Sequence, residues 1–225
     1  MVKMKTTRPA LERVYAAQSR QELAGAYADW ANEYDRQTAE LGYGLPFLIA
    51  AWVARYVQRG QGAILDAGCG TGLSGPFLQA LGYEPIDGVD MSAEMLAIAR
   101  RRGVYGELKE AALGGPLPWR DGYFKAFLST GVFTEGHAPA SSLDELVRIT
   151  RPGGHAILTV RDSIVESGGF RRKFEELRQA GRWSPAEESP PFRAFAVAEP
   201  EVLVQAFVFE IRQPPKAPIA GGAKH

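Results

Sequence analysis

The sequence predicts an α/β fold: a doubly wound, mostly parallel sheet with helices on both faces. Three observations carry this. Short apolar runs alternate with helical patterns from 62 to 181, as in parallel strands joined by crossover helices. One run, residues 64–72 (ILDAGCGTG), breaks off in a glycine-rich turn. Two late apolar runs, near Phe195 and at 202–211, lie too close for a crossover helix and so form an antiparallel C-terminal pair.

Residues 1 to about 18 are mixed and basic and read as a frayed leader. From Arg20, the spacing of Leu23, Tyr27, Trp30 and Tyr34 predicts a helix with one aromatic face, ended by Gly42 and Gly44. Pro46 opens a second helix, whose wide buried face sets Leu48, Trp52 and Tyr56 beside Ile49, Val53 and Val57. Gly60 and Gly62 precede the first strand. After the glycine turn, Phe77, Leu78 and Leu81 mark a helix that stops at Gly82, and residues 85–90 (PIDGVD) form a strand ending in an acid. Ser92 caps the next helix, with Glu94 in its first turn and Met95, Leu96 and Ala99 facing inward. A third strand falls within 105–109, and a fourth, 124–128, follows the Asp121-Gly122 turn.

Further on, Ser142 and Glu145 read as a capping box, and Pro152-Gly153-Gly154 ends that helix before a strand at 156–160. Phe170, Phe174 and Leu177 define a last helix, stopped by Gly181. Residues 184–191 read as a Pro/Glu/Ser loop, and the tail from Pro214 as disordered. The chain thus divides into a helical segment (1–61), a nucleotide-type sheet domain (62–213) and a tail (214–225).

Composition narrows the partners. Lys+Arg and Asp+Glu balance at 26 each, so no overall field draws the chain to nucleic acid or anionic lipid. The lone Cys69 excludes an internal disulfide and fits a reduced, cytoplasmic setting. The apolar stretch 47–57 is too short to span a bilayer and contains Arg55.

The glycine turn defines the ligand more closely. Gly68, Gly70 and Gly72 alternate, so a dinucleotide G-x-G-x-x-G would need glycine where Leu73 stands. Asp66 sets a carboxylate where a pyrophosphate would lie. A nucleoside with positive charge and no phosphate suits this turn better, and S-adenosylmethionine is one. Ligands of open α/β sheets bind beyond the carboxyl ends of the strands. Polar groups stand at four such ends: residues 66–72, Asp90-Met91, residues 129–137, and Arg161-Asp162. Asp90 follows Gly72 at the spacing where an acid takes ribose hydroxyls.

ILDAGCGTG, GVDMSAEMLAIAR, LPWRDGYFKAFLSTGVF and LVRITRPGGHAILTV, in that order, resemble the class I S-adenosylmethionine-dependent methyltransferase superfamily. Within it, YADWANEYD and STGVFTEGHAP are similar to the group formed by the methyltransferase-like protein of the Williams–Beuren chromosomal region and its bacterial relatives. The resemblance implies a Rossmann-like, mostly parallel seven-stranded sheet with an antiparallel C-terminal hairpin and an N-terminal helical lid. It implies that Asp66, Gly68, Cys69, Gly70 and Gly72 form the loop around the methionyl part of the cofactor. Asp90 would bind the ribose and Met91 flank the adenine. The family's acid near the adenine amine is missing from AALG (111–114), which leaves backbone contacts at Ala112 and Leu113. Ser129 and Thr130 would line the methyl-donor side, and Tyr27, Trp30 and Tyr34 would cover the cofactor as a lid. The same three aromatics at helical spacing also suit plain core packing, and Cys69, with no base or metal partner in sequence, reads as a small loop residue.

Candidate bases at the strand ends are His137, Glu135, Asp162 and Tyr34, with His137 favoured by its pKa range. His155 and His225 stand apart from it, so no metal cluster is expected. After the fourth strand the chain reads Ser-Thr-Gly-Val-Phe, not the Asn/Asp-Pro-Pro-aromatic motif of base and amide methylation. A small-molecule acceptor is therefore expected, with no nucleic-acid or membrane partner. Lysis or cyclisation of the cofactor, and cofactor binding without turnover, remain open alternatives.

Overall fold

The computed structural model describes residues 10, 13, 14, 16, 17 and 19–212. The expectations for most of the leader and for the tail fall outside the described residues. Helix α1 (Arg20–Glu40) starts at Ser19, whose hydroxyl accepts from the Glu22 amide at 3.2 Å. Helix α2 (Leu45–Tyr56) starts on Pro46 and buries Ile49 and Val53. Then come β1 (Ile64–Ala67), α3 (Gly75–Ala80), β2 (Ile86–Asp90), α4 (Ala93–Arg101), β3 (Leu108–Glu110) and β4 (Phe124–Phe133). The chain continues through α5 (Ser142–Ile149), β5 (Thr150–Arg161), α6 (Phe170–Gln179), β6 (Trp183–Glu188), β7 (Phe192–Arg193) and β8 (Leu203–Ile211).

The sheet runs in the order β3-β2-β1-β4-β5-β8-β6, with the two-residue β7 also on β8. The first five are parallel, and β8 is antiparallel to β5. The order reverses between β1 and β4, the switch point at which such sheets bind ligands. All four residues of β1 are buried, as a central strand covered on both faces requires. One core layer packs Phe127, Leu143, Leu158 and Phe207 on one face; the other sets Ile49 and Val53 of α2 against Ile64, Leu128 and Ile157. A third cluster joins α1 to the C-terminal strands through Leu23, Trp30, Phe195 and Val204.

Four local expectations need correction. Pro152-Gly153-Gly154 does not end α5, which stops at Ile149, but lies inside β5. Residues 184–188 are not loop but most of β6, an edge strand on β8; its Pro185 is tolerated because an edge leaves one row of amides unpaired. The fourth strand extends five residues past Leu128, with a register shift between Ser129 and Phe133. The capping box at Ser142 does not form. Ser141 occupies the cap without a side-chain bond, the buried Ser142 hydroxyl finds no protein partner, and Glu145 instead binds the Leu117 amide and Arg148.

Candidate active site

The turn after β1 is held from below by β2. The Gly68 and Cys69 amides both donate to the Val89 carbonyl, at 2.7 and 3.0 Å. The Gly70 amide donates to Asp90 Oδ2 at 2.8 Å, and the Ser92 amide to Oδ1 at 3.0 Å. Gly68 has φ +75°, and a Cβ there would lie 2.3 Å from Val132 of β4, so only glycine lets the two chains touch. A Cβ on Gly72 would meet the Tyr105 ring at 2.7 Å. Tyr105 in turn donates to Asp66 Oδ2 at 2.7 Å. Gly72 thus makes room for the residue that steadies Asp66.

Above this turn lies a cleft whose floor is Asp66, Gly68, Cys69, Gly70 and Thr71. One wall is Asp90, Met91, Ala111, Ala112 and Leu113; the other is Thr130, Gly131, Val132 and His137. Tyr27 and Tyr34 of α1 close it from above, with Tyr43 beside them. The cleft thus gathers most residues expected at the site and leaves five outside its lining: the candidate bases Glu135 and Asp162, which accept from Ser163 and Gln205, and Gly72, Ser129 and Trp30. Gly72 faces Tyr105. Ser129 is fully buried within β4 and donates to the Ala67 carbonyl at 2.9 Å, so it ties β4 to β1. Trp30 is 3% exposed, donates to Gln37 at 2.7 Å and belongs to the core cluster under α1.

The site's electrostatics are one-sided. Asp66 and Asp90 both line the cleft, while among its described lining residues there is no Lys or Arg. Burial raises the Asp66 carboxyl to about 7, with the nearby Asp90 charge adding to the rise. Burial also raises Asp90, against the bonds from Ser92 and Gly70. Two desolvated carboxylates favour a cation and repel a phosphate. The Thr130 hydroxyl adds a buried polar atom with no protein partner on the same wall. A sulfonium nucleoside with an α-ammonium group fits this donor set; a dinucleotide does not. Burial, then the two aspartates, push the Cys69 thiol well up, which keeps it neutral.

His137 sits where α1 meets the wall. Its Nδ1 lies 2.9 Å from the Glu135 carbonyl and 2.8 Å from Thr134 Oγ1, and its Nε2 lies 3.1 Å from the Tyr27 hydroxyl. A carbonyl only accepts, so Nδ1 carries the proton and Nε2 accepts from Tyr27. Burial lowers the His137 pKa and keeps the ring neutral.

Sequence reasoning missed a second tether. The Thr71 hydroxyl donates to Asp35 Oδ1 of α1 at 2.6 Å; Arg102 pairs with Asp35 and donates from Nε to the Thr71 carbonyl at 2.6 Å. Both ends of the tether, YADWANEYD and the GCGTG loop, were visible, but their pairing across the fold was not.

The fold and site define a doubly wound α/β protein built for a cationic nucleoside cofactor. Residues 65–158 match a family model described as a methyltransferase domain. Methyltransferase-like protein 27 of Homo sapiens is 35% identical over 180 residues, which cover 76% of this chain and 73% of that protein. The 18S rRNA (guanine(1575)-N(7))-methyltransferase of Saccharomyces cerevisiae is 42% identical over 66 residues, 29% of this chain and 24% of that protein. Among solved structures, a chain from the complex of the Haloferax volcanii Trm112 methyltransferase activator with a methyltransferase superposes with a TM-score of 0.63 at 19% identity. That match covers 83% of this chain and 98% of the other. The chain belongs to the class I S-adenosylmethionine-dependent methyltransferases, and S-adenosylmethionine is its cofactor.

Proposed function

We propose that this methyltransferase acts on a small-molecule acceptor, in the cytoplasm, beneath helix α1. One observation carries the proposal: α1 lies across the cleft and is fastened at both sides, by Asp35 to Thr71 and Arg102 and by Tyr27 to His137. An acceptor at this site would sit beneath α1, which narrows the access that a folded RNA or protein would need. The balanced charge of the chain supports the same reading. The similarity to the rRNA enzyme covers 29% of the chain, too little to extend its substrate to this protein.

When bound, the cofactor supplies an electrophilic methyl group on a cationic sulfur. Asp66 and Asp90 would hold its charged and ribose parts, and the Ala112–Leu113 backbone would border the base. Tyr27 and Tyr34 present aromatic faces, worth about 1 kcal/mol against a nearby cation. Helix α1 keeps water from the reacting groups. His137 would draw the acceptor's proton through the Tyr27 hydroxyl that already donates to its Nε2, its ring oriented by the Glu135 carbonyl.

The test is to incubate the protein with methyl-labelled cofactor and a cell extract, then separate metabolites from RNA and protein. Label in the low-molecular-weight fraction is expected. Label confined to RNA or protein would overturn the proposal.

A further inference from the structure

A pocket of about 220 Å³ lies at the end of the sheet opposite the cofactor cleft, where β4 and β5 begin. The loop from α2 into β1 borders it, and its lining includes Tyr56, Gly60, Lys125, Arg151, Gly153 and His155.

Lys125 is 4% exposed. A buried ammonium needs partners, and the protein supplies neutral ones: the Gln58 carbonyl at 3.2 Å, the Gly60 carbonyl at 2.5 Å and the Tyr83 ring at 5.5 Å. Two of its three N–H donors are thus engaged and one is left. A charged neighbour is a second cation, Arg151. A Cβ on Gly62 would lie 3.9 Å from Arg151 Nη1 and 4.0 Å from Lys125 Cβ, so both side chains border the same point. The Arg151 guanidinium finds no acceptor among the described residues. Burial, and then the Arg151 charge, lower the Lys125 pKa. His155 adds a third donor. Burial lowers its pKa, against the pull of Glu210 on β8, and keeps the ring neutral with one N–H.

Carboxylates around this end of the sheet are spent elsewhere. Glu210 pairs with Arg212, Asp121 with Arg148, and Glu187 with Arg55 and the Tyr56 hydroxyl. None of them lines the pocket. Two cations brought together without an acid repel each other, and a bound anion turns that cost into attraction. A carboxylate brings one charge. A phosphate group brings nearly two at neutral pH, with three strong acceptor oxygens. Such a group matches a guanidinium fork joined by an ammonium and an imidazole N–H.

We infer that this pocket binds a phosphate group, with its oxygens on Arg151, Lys125 and His155. The site is separate from the cofactor cleft and stands whatever the methyl acceptor is.

The test uses the full chain saturated with S-adenosylhomocysteine, which fills the cofactor cleft. At pH 7.5 and constant ionic strength it is titrated with inorganic phosphate, glycerol 3-phosphate and acetate, and scanning fluorimetry follows the saturable rise in Tm. One of the two phosphates should reach half-saturation at a concentration at least tenfold below acetate; the tighter of them tells a free ion from an organic phosphate. Arg151→Gln should raise that concentration at least tenfold. Ligand-free, the same variant should melt no lower than the parent, because it removes a like charge beside Lys125. Arg101→Gln, at an exposed position on α4 outside the pocket, should stay within twofold of the parent. Equal response to acetate and phosphate, equal loss in both variants, or unchanged phosphate binding in Arg151→Gln would overturn the inference. So would a ligand-free Arg151→Gln less stable than the parent, which would make the residue structural.

Discussion

Asp66→Asn tests the electrostatic design of the site, because stability and binding should respond with opposite signs. Asp66 is 2% exposed, and burial lifts its carboxyl from 3.8 to about 7. Its folded pKa exceeds its unfolded one, so its contribution to stability is greatest below the unfolded value and is lost as pH rises through 7. A rise of that size corresponds to about 4 kcal/mol between those limits. Between pH 6 and 8 the loss is about 1.4 kcal/mol, or roughly 3–6 °C in Tm for a chain of this size. The asparagine variant keeps an acceptor for Tyr105 but has no charge to desolvate. Ligand-free, it should melt above the parent at pH 8, and its Tm should lack this fall between pH 6 and 8. Its affinity for S-adenosylmethionine should drop roughly 10- to 100-fold, the worth of a charge-assisted bond. In the parent, cofactor affinity should weaken about tenfold per pH unit below 7, as Asp66 takes up a proton. Scanning fluorimetry and titration calorimetry across pH 5.5–8.5 read both effects. A variant less stable than the parent at pH 8, or one that binds the cofactor equally well, would refute the reasoning.

The remaining predictions probe the turn, the tether and the base. Gly70 has nothing within 4 Å of where its Cβ would stand, whereas a Cβ on Gly68 would strike Val132. Gly70→Ala meets no neighbour and should cost only the roughly 1 kcal/mol of its positive φ, +53°, while weakening cofactor binding; Gly68→Ala should lose roughly 1–3 kcal/mol more by overpacking, and chemical denaturation beside equilibrium dialysis separates them. Asp35→Ala cuts both bonds from α1 to the loop and α4, so S-adenosylhomocysteine should dissociate several-fold faster in stopped flow, with about 1 kcal/mol lost in stability. His137→Ala should lower kcat by roughly 100-fold or more with S-adenosylhomocysteine affinity nearly unchanged; near-normal turnover would remove His137 from the proton path.

Much of the sheet was legible because its signals are local. The apolar run before GCGTG, the Ser92 cap, whose hydroxyl accepts from the Met95 amide at 3.2 Å, and the Gly82 and Gly181 stops each act within a few residues. What escaped depends on distant partners. Strand β6 is stabilised by pairing with β8, which outweighs the prolines that made residues 184–188 look like loop. Glu145 would cap α5 on local grounds, but Arg148 and the Leu117 amide claim it. Ser129 reads locally as the end of a strand; the continuation of β4 buries it against Ala67 instead. In the site, Asp66, Asp90 and the glycines announced themselves by spacing. Tyr105 and Arg102 carried no motif, and Asp35, though it ends YADWANEYD, gave no sign of its partners, because the contacts at Asp66 and Thr71 join residues far apart in sequence.

The most direct test of the account is the nucleoside left after turnover. The protein is incubated with S-adenosylmethionine and an acceptor that it methylates in the extract experiment, and the nucleoside product is identified by mass spectrometry. S-adenosylhomocysteine, formed one for one with methylated acceptor, is the predicted result. Methylthioadenosine, or a cofactor that binds and is recovered unchanged, would contradict it.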